Sequence, residues 1–175
     1  MNKKHIFILI FGLWLIIIVA FIGFKQFTLS TGTRVLLKTA PVDPRDILRG
    51  DYVALNYEIG RLNLDKIPHD LINPSKGDRI YLILEGKEKY WVAKEIRKDK
   101  PENLLFIEGE TKNIYGNEII VNYGIESYFI PEGKGSDVEG FGGKGLDVEV
   151  SIDRFGHAVI NKLYINGTEV NFNND

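Results

Sequence analysis

The N-terminal part of the chain carries an uninterrupted apolar run, whereas the remainder alternates between apolar and polar positions. Residues 6–24 contain no charged side chain. As a helix rising about 1.5 Å per residue, this segment would be about 29 Å long, which matches the hydrocarbon core of a bilayer. Because the run is apolar on every face, it indicates a membrane-spanning helix and not an amphipathic one. We predict a transmembrane anchor over residues 6–24, between a cytoplasmic tail (1–5) and a linker (25–32).

A cleaved signal peptide is the alternative interpretation of this run. The apolar region of a signal peptide is usually about 7–15 residues long and ends at small residues recognised by the peptidase. The run here is longer and ends FIGF at residues 21–24, without small residues at both required positions. We therefore favour an uncleaved anchor. Lys3 and Lys4 in the short tail, followed by a long C-terminal part, predict a single-pass cell-membrane protein whose domain lies outside the cytoplasm.

Beyond residue 32 the pattern has a period of two, which predicts β-strands. Short strands are expected at residues 34–39, 104–111, 118–123 and 168–172. Three stripes of alternating apolar residues are expected to define strand faces: Val53, Leu55, Tyr57 and Ile59; Ile80, Leu82 and Leu84; and Tyr90, Val92 and Ile96, with Trp91 and Ala93 on the opposite face. The clearest alternation sets Leu146, Val148, Val150 and Ile152 against Asp147, Glu149, Ser151 and Asp153, which predicts a strand with one buried and one wet face.

Short turn sequences separate these strands and decide the fold class. Turns are predicted at Gly86-Lys87, Gly116-Asn117, Arg154-Phe155-Gly156 and Asn166-Gly167, where the residues tolerate positive φ. The connections are too short for helical crossovers, so the strands should pair antiparallel. We predict a mostly β protein: the transmembrane helix, followed by an antiparallel curled-sheet or barrel-like domain at residues 33–175 with one or two short helical turns. A β-sandwich is the alternative.

Five charges crowd the loop that precedes the second strand. They are Asp43, Arg45, Asp46, Arg49 and Asp51. Asp43 followed by Pro44 suits the start of one helical turn, which Gly50 can end. The charges can pair among themselves and need no ligand. Alternatively, the arginines form a pocket that recognises a carboxylate or a phosphate through bidentate contacts.

A second segment, residues 123–135, is aromatic and contains two carboxylates. The simpler interpretation is a strand followed by a turn, with Tyr128 and Phe129 in the core. Glu126, however, interrupts an apolar run and is expected to be partly buried. A buried carboxylate needs a partner, so we expect Arg45 or Arg49 close to Glu126.

The octapeptide GDYVALNY at residues 50–57 resembles the GDYXXLXY family of membrane-anchored bacterial proteins, because it spells that motif. PVDPRD at 41–46, YGIE at 123–126, YFIPEG at 128–133 and the turn DRFG at 153–156 are similar to the same family. The activity of the family is not established. Relatives are often encoded beside, or fused to, a multi-pass membrane protein, so the resemblance implies an integral membrane partner more than a reaction. The two segments supply ten candidate ligand- or partner-binding residues: Asp43, Arg45, Asp46, Arg49, Asp51, Tyr52, Tyr57, Glu126, Tyr128 and Glu132.

Composition argues against several classes of function. With 22 basic and 24 acidic residues, the chain shows no basic stripe that would suggest a nucleic-acid partner. There is no cysteine for a disulfide or a thiolate metal site, and the three histidines are scattered, so no metal is expected. GFGGKG at residues 140–145 matches G-x-G-x-x-G, but a strand follows it where a nucleotide site needs a helix. We expect neither nucleotide nor cofactor.

Three functions follow from these observations. The first is a membrane-anchored binding or accessory module that docks onto an integral membrane partner or an envelope component, since no catalytic constellation is recognisable. The second is a sensor in which Arg45 and Arg49 bind a small anion. The third is an envelope hydrolase using two of the available carboxylates at a defined separation, which are Asp51, Glu58, Glu126 and Glu132.

Overall fold

The computed structural model describes residues 3–40, 52–130 and 146–170, with the side chain of Tyr52 outside that description. The first helical turn predicted at Asp43 therefore lies outside the described residues. The described elements are one α-helix, eleven strands and a 3₁₀ turn at Glu58–Gly60 that the sequence did not indicate. The helix is α1 (Lys3–Thr31), and the strands are β1 (Thr33–Lys38), β2 (Tyr52–Ala54), β3 (Arg61–Asn63), β4 (Arg79–Lys87), β5 (Tyr90–Arg97), β6 (Phe106–Tyr115), β7 (Glu118–Asn122), β8 (Ser127–Phe129), β9 (Leu146–Ile152), β10 (Ala158–Ile165) and β11 (Thr168–Glu169).

Helix α1 is long and apolar enough to cross a membrane. Its 29 residues extend about 44 Å at 1.5 Å per residue. Its large apolar side chains are exposed, as expected of a helix without a soluble core around it. The helix continues seven residues beyond Phe24, so the segment that we predicted as a linker, 25–32, is helical as far as Thr31. The apolar segment and the domain are therefore joined by a continuous helix, with one residue, Gly32, before the first strand.

The last turns of α1 are seated on the domain. Thr28 is fully buried, and its hydroxyl lies 3.3 Å from the Phe24 carbonyl oxygen and 3.4 Å from Oδ2 of Asp153. The hydroxyl of Ser151 donates to the carbonyl of Leu29, one of the last helix carbonyls that the helix itself cannot satisfy. At Gly32 an added Cβ would lie 2.5 Å from the carbonyl oxygen of Thr28. The junction is therefore packed too closely for any larger residue at that position.

Asp153 is the polar centre of this junction. Its carboxylate accepts hydrogen bonds from the backbone N–H groups of Phe155 (2.8 Å) and His157 (3.0 Å), and Nδ1 of His157 lies 3.1 Å away. Burial raises the pKa of Asp153, but the hydrogen bonds from the His157 ring and from the two backbone N–H groups outweigh it, so the pKa lies below its ordinary value. The carboxylate thus stays charged and holds the helix end, the turn and the imidazole together.

All ladders between the strands are antiparallel, which confirms the predicted fold class. A five-stranded sheet has the order β3-β7-β6-β4-β5, a four-stranded sheet has the order β1-β9-β10-β11, and β2 pairs with β8. Strand β1 packs beside β5, so the sheets curl into a nearly closed, barrel-like body. A single hydrophobic core fills it, with Leu37 and Val150 from one sheet, Leu62 and Ile107 from the other, and Val53 from the short ladder.

The prediction of a wet face on β9 is wrong. Asp147, Ser151 and Asp153 are buried, although they alternate with the core residues as predicted. The helix end covers Ser151 and Asp153. Asp147 is covered from the β4–β5 turn, where the Tyr90 hydroxyl donates to it at 2.8 Å and Lys89 Nζ lies 3.2 Å away. Buried carboxylates are tolerated here because each one is hydrogen-bonded.

The predicted faces of β5 are also wrong in part. Trp91 and Ala93 pack against the core on the same side as Ile96, whereas the sequence placed them opposite it. The register shifts between Ile83 and Leu84 of β4, which leaves Lys94 as an extra residue and inverts the alternation. The adjoining turn is displaced too, because β4 continues through Lys87 and the turn residues are 88–89. The other three predicted turns are confirmed.

Candidate functional site

The described residues of the two segments singled out in the sequence, 41–58 and 123–135, meet in the β2–β8 ladder. Val53 pairs with Tyr128, and the N–H of Leu55 donates to the carbonyl of Glu126 at 2.8 Å. Val53, Leu55, Tyr57 and Ile59 are all buried, which confirms the predicted face, although regular strand structure ends at Ala54. Because the pairing is antiparallel, Tyr52, the first residue of β2, pairs with Phe129, the last residue of β8.

Two buried tyrosines tie the segments together reciprocally. The hydroxyl of Tyr57, in the first segment, donates to the carbonyl of Ile125 at 2.7 Å. The hydroxyl of Tyr123, in the second segment, donates to the carbonyl of Ile59, also at 2.7 Å. Tyr57 therefore satisfies a backbone carbonyl of the second segment, and Tyr123 satisfies the carbonyl of the residue that directly follows the first segment. We call this arrangement the tyrosine pair.

The tyrosine pair is held in its neutral form. Burial raises the pKa of the Tyr57 and Tyr123 hydroxyls well above 10.0, and the nearby charge of Glu126 raises it further. The Glu126 carboxylate itself accepts a hydrogen bond from the backbone N–H of Tyr123. It is half-buried, as predicted. A backbone N–H is thus one hydrogen-bond donor to this carboxylate, for which we predicted Arg45 or Arg49 as the donor.

We expect Tyr57→Phe to lower the free energy of unfolding by about 1–3 kcal/mol, since the Ile125 carbonyl loses its donor in a buried site. The raised pKa of Tyr57 adds a pH dependence: its contribution is complete below the unfolded-state value near 10 and is lost as the pH rises beyond that value. Urea unfolding of the full chain in detergent, at neutral and alkaline pH, measures both effects. Tyr115→Phe, at an exposed tyrosine, is the control. A stability of Tyr57→Phe equal to that of Tyr115→Phe would contradict the tyrosine pair.

The other candidate residues divide into three groups. Tyr128 is half-buried and packs against the core, whereas Phe129 is 78 % exposed, so placing it in the core is wrong. Tyr52 lies in β2, but its side chain lies outside the described residues. The other six candidates also lie outside them, so an anion pocket and an Arg–Glu126 contact stay predictions: Asp43, Arg45, Asp46, Arg49, Asp51 and Glu132.

A groove lies between the two edge strands of the five-stranded sheet, β3 and β5. It has a volume of about 460 Å³, and we call it the seam groove. Its apolar part is formed by Trp91 and Ile67, and its charged rim includes Lys38, Arg61 and Lys87. The size is within the range of small-ligand sites, which are commonly about 300–1,000 Å³.

The charges at the seam groove are only partly neutralised. Lys38 forms an ion pair with Glu58 at 2.7 Å, which raises the pKa of the Lys38 ammonium. Arg61 and Lys87 have no ion-pair partner within residues 3–40, 52–130 and 146–170. Glu88 is the other acid on the rim. Two unpaired cations beside an indole ring suit an anionic or aromatic group better than a cation.

The carboxylates of the hydrolase hypothesis do not share one described site. Glu58 lines the seam groove, whereas Glu126 is bound to the backbone at the β2–β8 ladder and does not line it. Asp51 and Glu132, the other carboxylates of the hydrolase hypothesis, lie outside the described residues. No group of three or more His, Asp or Glu side chains that could hold a metal ion occurs in the described parts of the chain.

Sequence reasoning missed several residues that shape these sites. Tyr123 was recognised only as the start of a segment, and Trp91 was assigned to the wrong face. Gly109 was not considered, yet an added Cβ there would lie 2.8 Å from the Tyr123 ring. The sequence signal for this packing is a glycine within an alternating strand, because such a glycine often marks the close approach of another group.

Comparison with known proteins identifies a family. The model of the GDYXXLXY protein family matches residues 14–163. No curated protein and no solved structure matches the chain. The matched range includes most of α1, both motif segments, the seam groove and the turn around Asp153. The family resemblance read from the octapeptide at residues 50–57 is thereby confirmed.

Proposed function

The chain belongs to the GDYXXLXY family, and we propose that it is a membrane-anchored accessory module whose domain, outside the cytoplasm, docks onto an integral membrane protein. The observation that carries this proposal is the seat of α1 on the domain, built by Thr28, Asp153 and Gly32. A docking module gains from a fixed position at the membrane surface, because a preorganised binding surface loses less entropy on association. A domain on a flexible tether would lack that advantage.

The same seat supports an uncleaved anchor. Thr28 is buried, and the Phe24 ring contacts the His157 ring edge-on at a centroid distance of 5.4 Å. Cleavage after Phe24 would remove the ring contact with His157 and the carbonyl near the Thr28 hydroxyl, and it would detach the turn of Thr28 from the helix that precedes it. The short positively charged tail and the long domain support an N-terminus in the cytoplasm.

The seam groove is the surface that we assign to docking. Lys38, on its rim, ends β1, and Thr33 begins that strand next to the helix seat. At about 3.3 Å per residue, the rim at Lys38 therefore lies roughly 17 Å from Thr33 along β1. A partner would reach it with an extramembrane loop or domain. Trp91 and Arg61 are of the residue types that contribute most to interfaces.

Site-specific photo-crosslinking in native membranes tests this assignment. A photoreactive phenylalanine analogue replaces Arg61 or Lys87 in the full chain, and Lys112, exposed on β6 and outside the groove, is the control position. We expect both groove positions to crosslink to the same integral membrane protein and Lys112 not to do so. A second variant combines Arg61→Glu with the photoreactive residue at position 87. If Arg61 is an interface hot spot, the yield of the crosslinked product should fall about tenfold or more.

Two results would overturn the docking proposal. One is the absence of a protein adduct from both groove positions while the variants are folded and in the membrane. The other is an equal yield of the same adduct from position 112.

An anion-binding sensor is the second candidate, and the unpaired Arg61 and Lys87 favour it. In that case small anions should raise the melting temperature of the full chain, by an amount equivalent to about 2.7 kcal/mol at 100 times the dissociation constant. Arg61→Glu should abolish the shift, whereas Lys112→Glu should leave it unchanged.

A further inference from the structure

The β9–β10 turn lies at the level where the apolar part of α1 ends. Phe24 is the last residue of the uncharged run, and Lys25 follows it. The Phe24 ring contacts the His157 ring at 5.4 Å between centroids, and the Phe155 ring lies 6.1 Å from that same imidazole. Two ring contacts therefore connect the tip of the turn to the end of the hydrophobic segment.

The tip of this turn combines an aromatic ring with two cations. Phe155 is 39 % exposed. Nζ of Lys100 lies 4.5 Å from the centre of its ring, and Cζ of Arg154 lies 4.8 Å from it. A partly exposed ring flanked by long cationic side chains is a combination that suits a membrane interface, where the ring can enter the acyl boundary and the cations can reach the headgroups.

The cations at the tip are available for a ligand. Lys100 and Arg154 have no ion-pair partner within the described ranges of the chain. Asp153 is buried and already bound to the turn. Asp99 and Glu102 are exposed near Lys100 in sequence, so the loop around Lys100 has little net charge. The attraction of this turn to a membrane must therefore come more from the apolar ring of Phe155 than from net positive charge.

We propose that residues 154–156, together with Lys100, form a second membrane contact: Phe155 enters the bilayer interface, and the ammonium of Lys100 and the guanidinium of Arg154 bind lipid phosphate groups. This inference rests on the proposed function in one respect, since it requires α1 to span the bilayer. This contact would hold the domain against the membrane beside the helix. The orientation of the domain would then be fixed at two points, the helix and the turn.

Spin labels on single cysteines test the proposal, because the chain has no cysteine of its own. The full chain is placed in nanodiscs of phosphatidylcholine and phosphatidylglycerol, with a label at Phe155, Arg154, Tyr115 or Ile16. Collision with a water-soluble nickel complex and with oxygen measures exposure to water and to lipid. The Arg154 label leaves the phenylalanine in place. Tyr115 is 66 % exposed and ends the ten-residue strand that begins at Phe106, about 30 Å away along the strand.

We expect labels at positions 154 and 155 to lose nickel accessibility and gain oxygen accessibility relative to position 115. The Ile16 label reports separately whether α1 is in the bilayer. If position 16 is lipid-exposed but positions 154 and 155 match position 115, the second membrane contact is wrong and the anchor stands. If position 16 itself is water-accessible, the anchor fails, and the membrane contact fails with it.

Discussion

Gly156→Ala should lower the free energy of unfolding by about 3 kcal/mol or more, which is large for the addition of one methyl group. Gly156 has a φ of +91°, where an L-residue is strained, at a cost of about 1–3 kcal/mol. An added Cβ would also lie 2.6 Å from the Phe106 ring and 2.9 Å from the backbone nitrogen of Glu108. That nitrogen donates to the Gly156 carbonyl at 2.9 Å, so it cannot move away without breaking the bond.

Gly77 provides a matched control for this substitution. Its φ is +90°, almost the same as at Gly156, but nothing lies within 4 Å of an added Cβ. Gly77→Ala therefore carries the backbone strain without the collision. Urea unfolding of both variants in detergent, followed by circular dichroism of the β-domain, separates the two contributions. Equal losses in the two variants would mean that the packing against β6 is not important for stability.

Gly109→Ala is expected to have the second large effect, because it acts on the tyrosine pair. An added Cβ would lie 2.5 Å from a Val121 methyl group and 2.8 Å from two atoms of the Tyr123 ring. Overpacking of this kind costs about 1–3 kcal/mol. A shift of the ring also lengthens the hydrogen bond to the Ile59 carbonyl, whose loss in a buried site costs a further 1–3 kcal/mol or so.

Gly86→Ala is the control for Gly109→Ala. Both glycines lie within strands of the same sheet without positive φ, but an added Cβ at Gly86 meets only the Trp91 ring, at 3.9 Å. We expect Gly86→Ala to be neutral or slightly stabilising, since alanine restricts the unfolded chain. Alkaline titration of tyrosine absorbance adds a specific measurement: Tyr123 should ionise before global unfolding in Gly109→Ala only. A Gly109→Ala protein as stable as Gly86→Ala would contradict the packing around Tyr123.

The sequence predicted the helix, the strands and most core faces because these depend on local periodicity. The stripe from Val53 to Ile59 is buried as expected. The same reasoning failed on β5 because one extra residue, Lys94, changes the phase of the alternation, and nothing in the residue types reveals it. It failed on β9 because alternation identifies polar side chains but does not show what covers them. Tyr90 covers Asp147, and the end of the helix covers Asp153.

The candidate site was predictable in part. We predicted that the two motif segments meet, because Glu126 was expected to need a partner. The β2–β8 ladder brings them together. Among the described residues the hydrogen-bond partner of Glu126 is the N–H of Tyr123, a contact within one turn that no charge pattern could indicate, and the contact with Arg45 or Arg49 stays a prediction. The seam groove arises between β3 and β5, which are separated by most of an antiparallel sheet. Its existence depends on how far the sheet curls, and this is a property of tertiary packing.

The uninterrupted passage of α1 into its seat has a rotational consequence. Each residue of an α-helix advances the side-chain direction by about 100°, and Thr28 fixes that direction relative to Asp153. Every side of the helix upstream is therefore matched to one side of the domain. Inserting a single residue between Phe24 and Thr28 would turn the whole apolar segment by that angle and leave the domain unchanged. A neighbouring protein that binds one side of the helix therefore always meets the same side of the domain, so the helix end fixes how the domain is rotated about the helix axis.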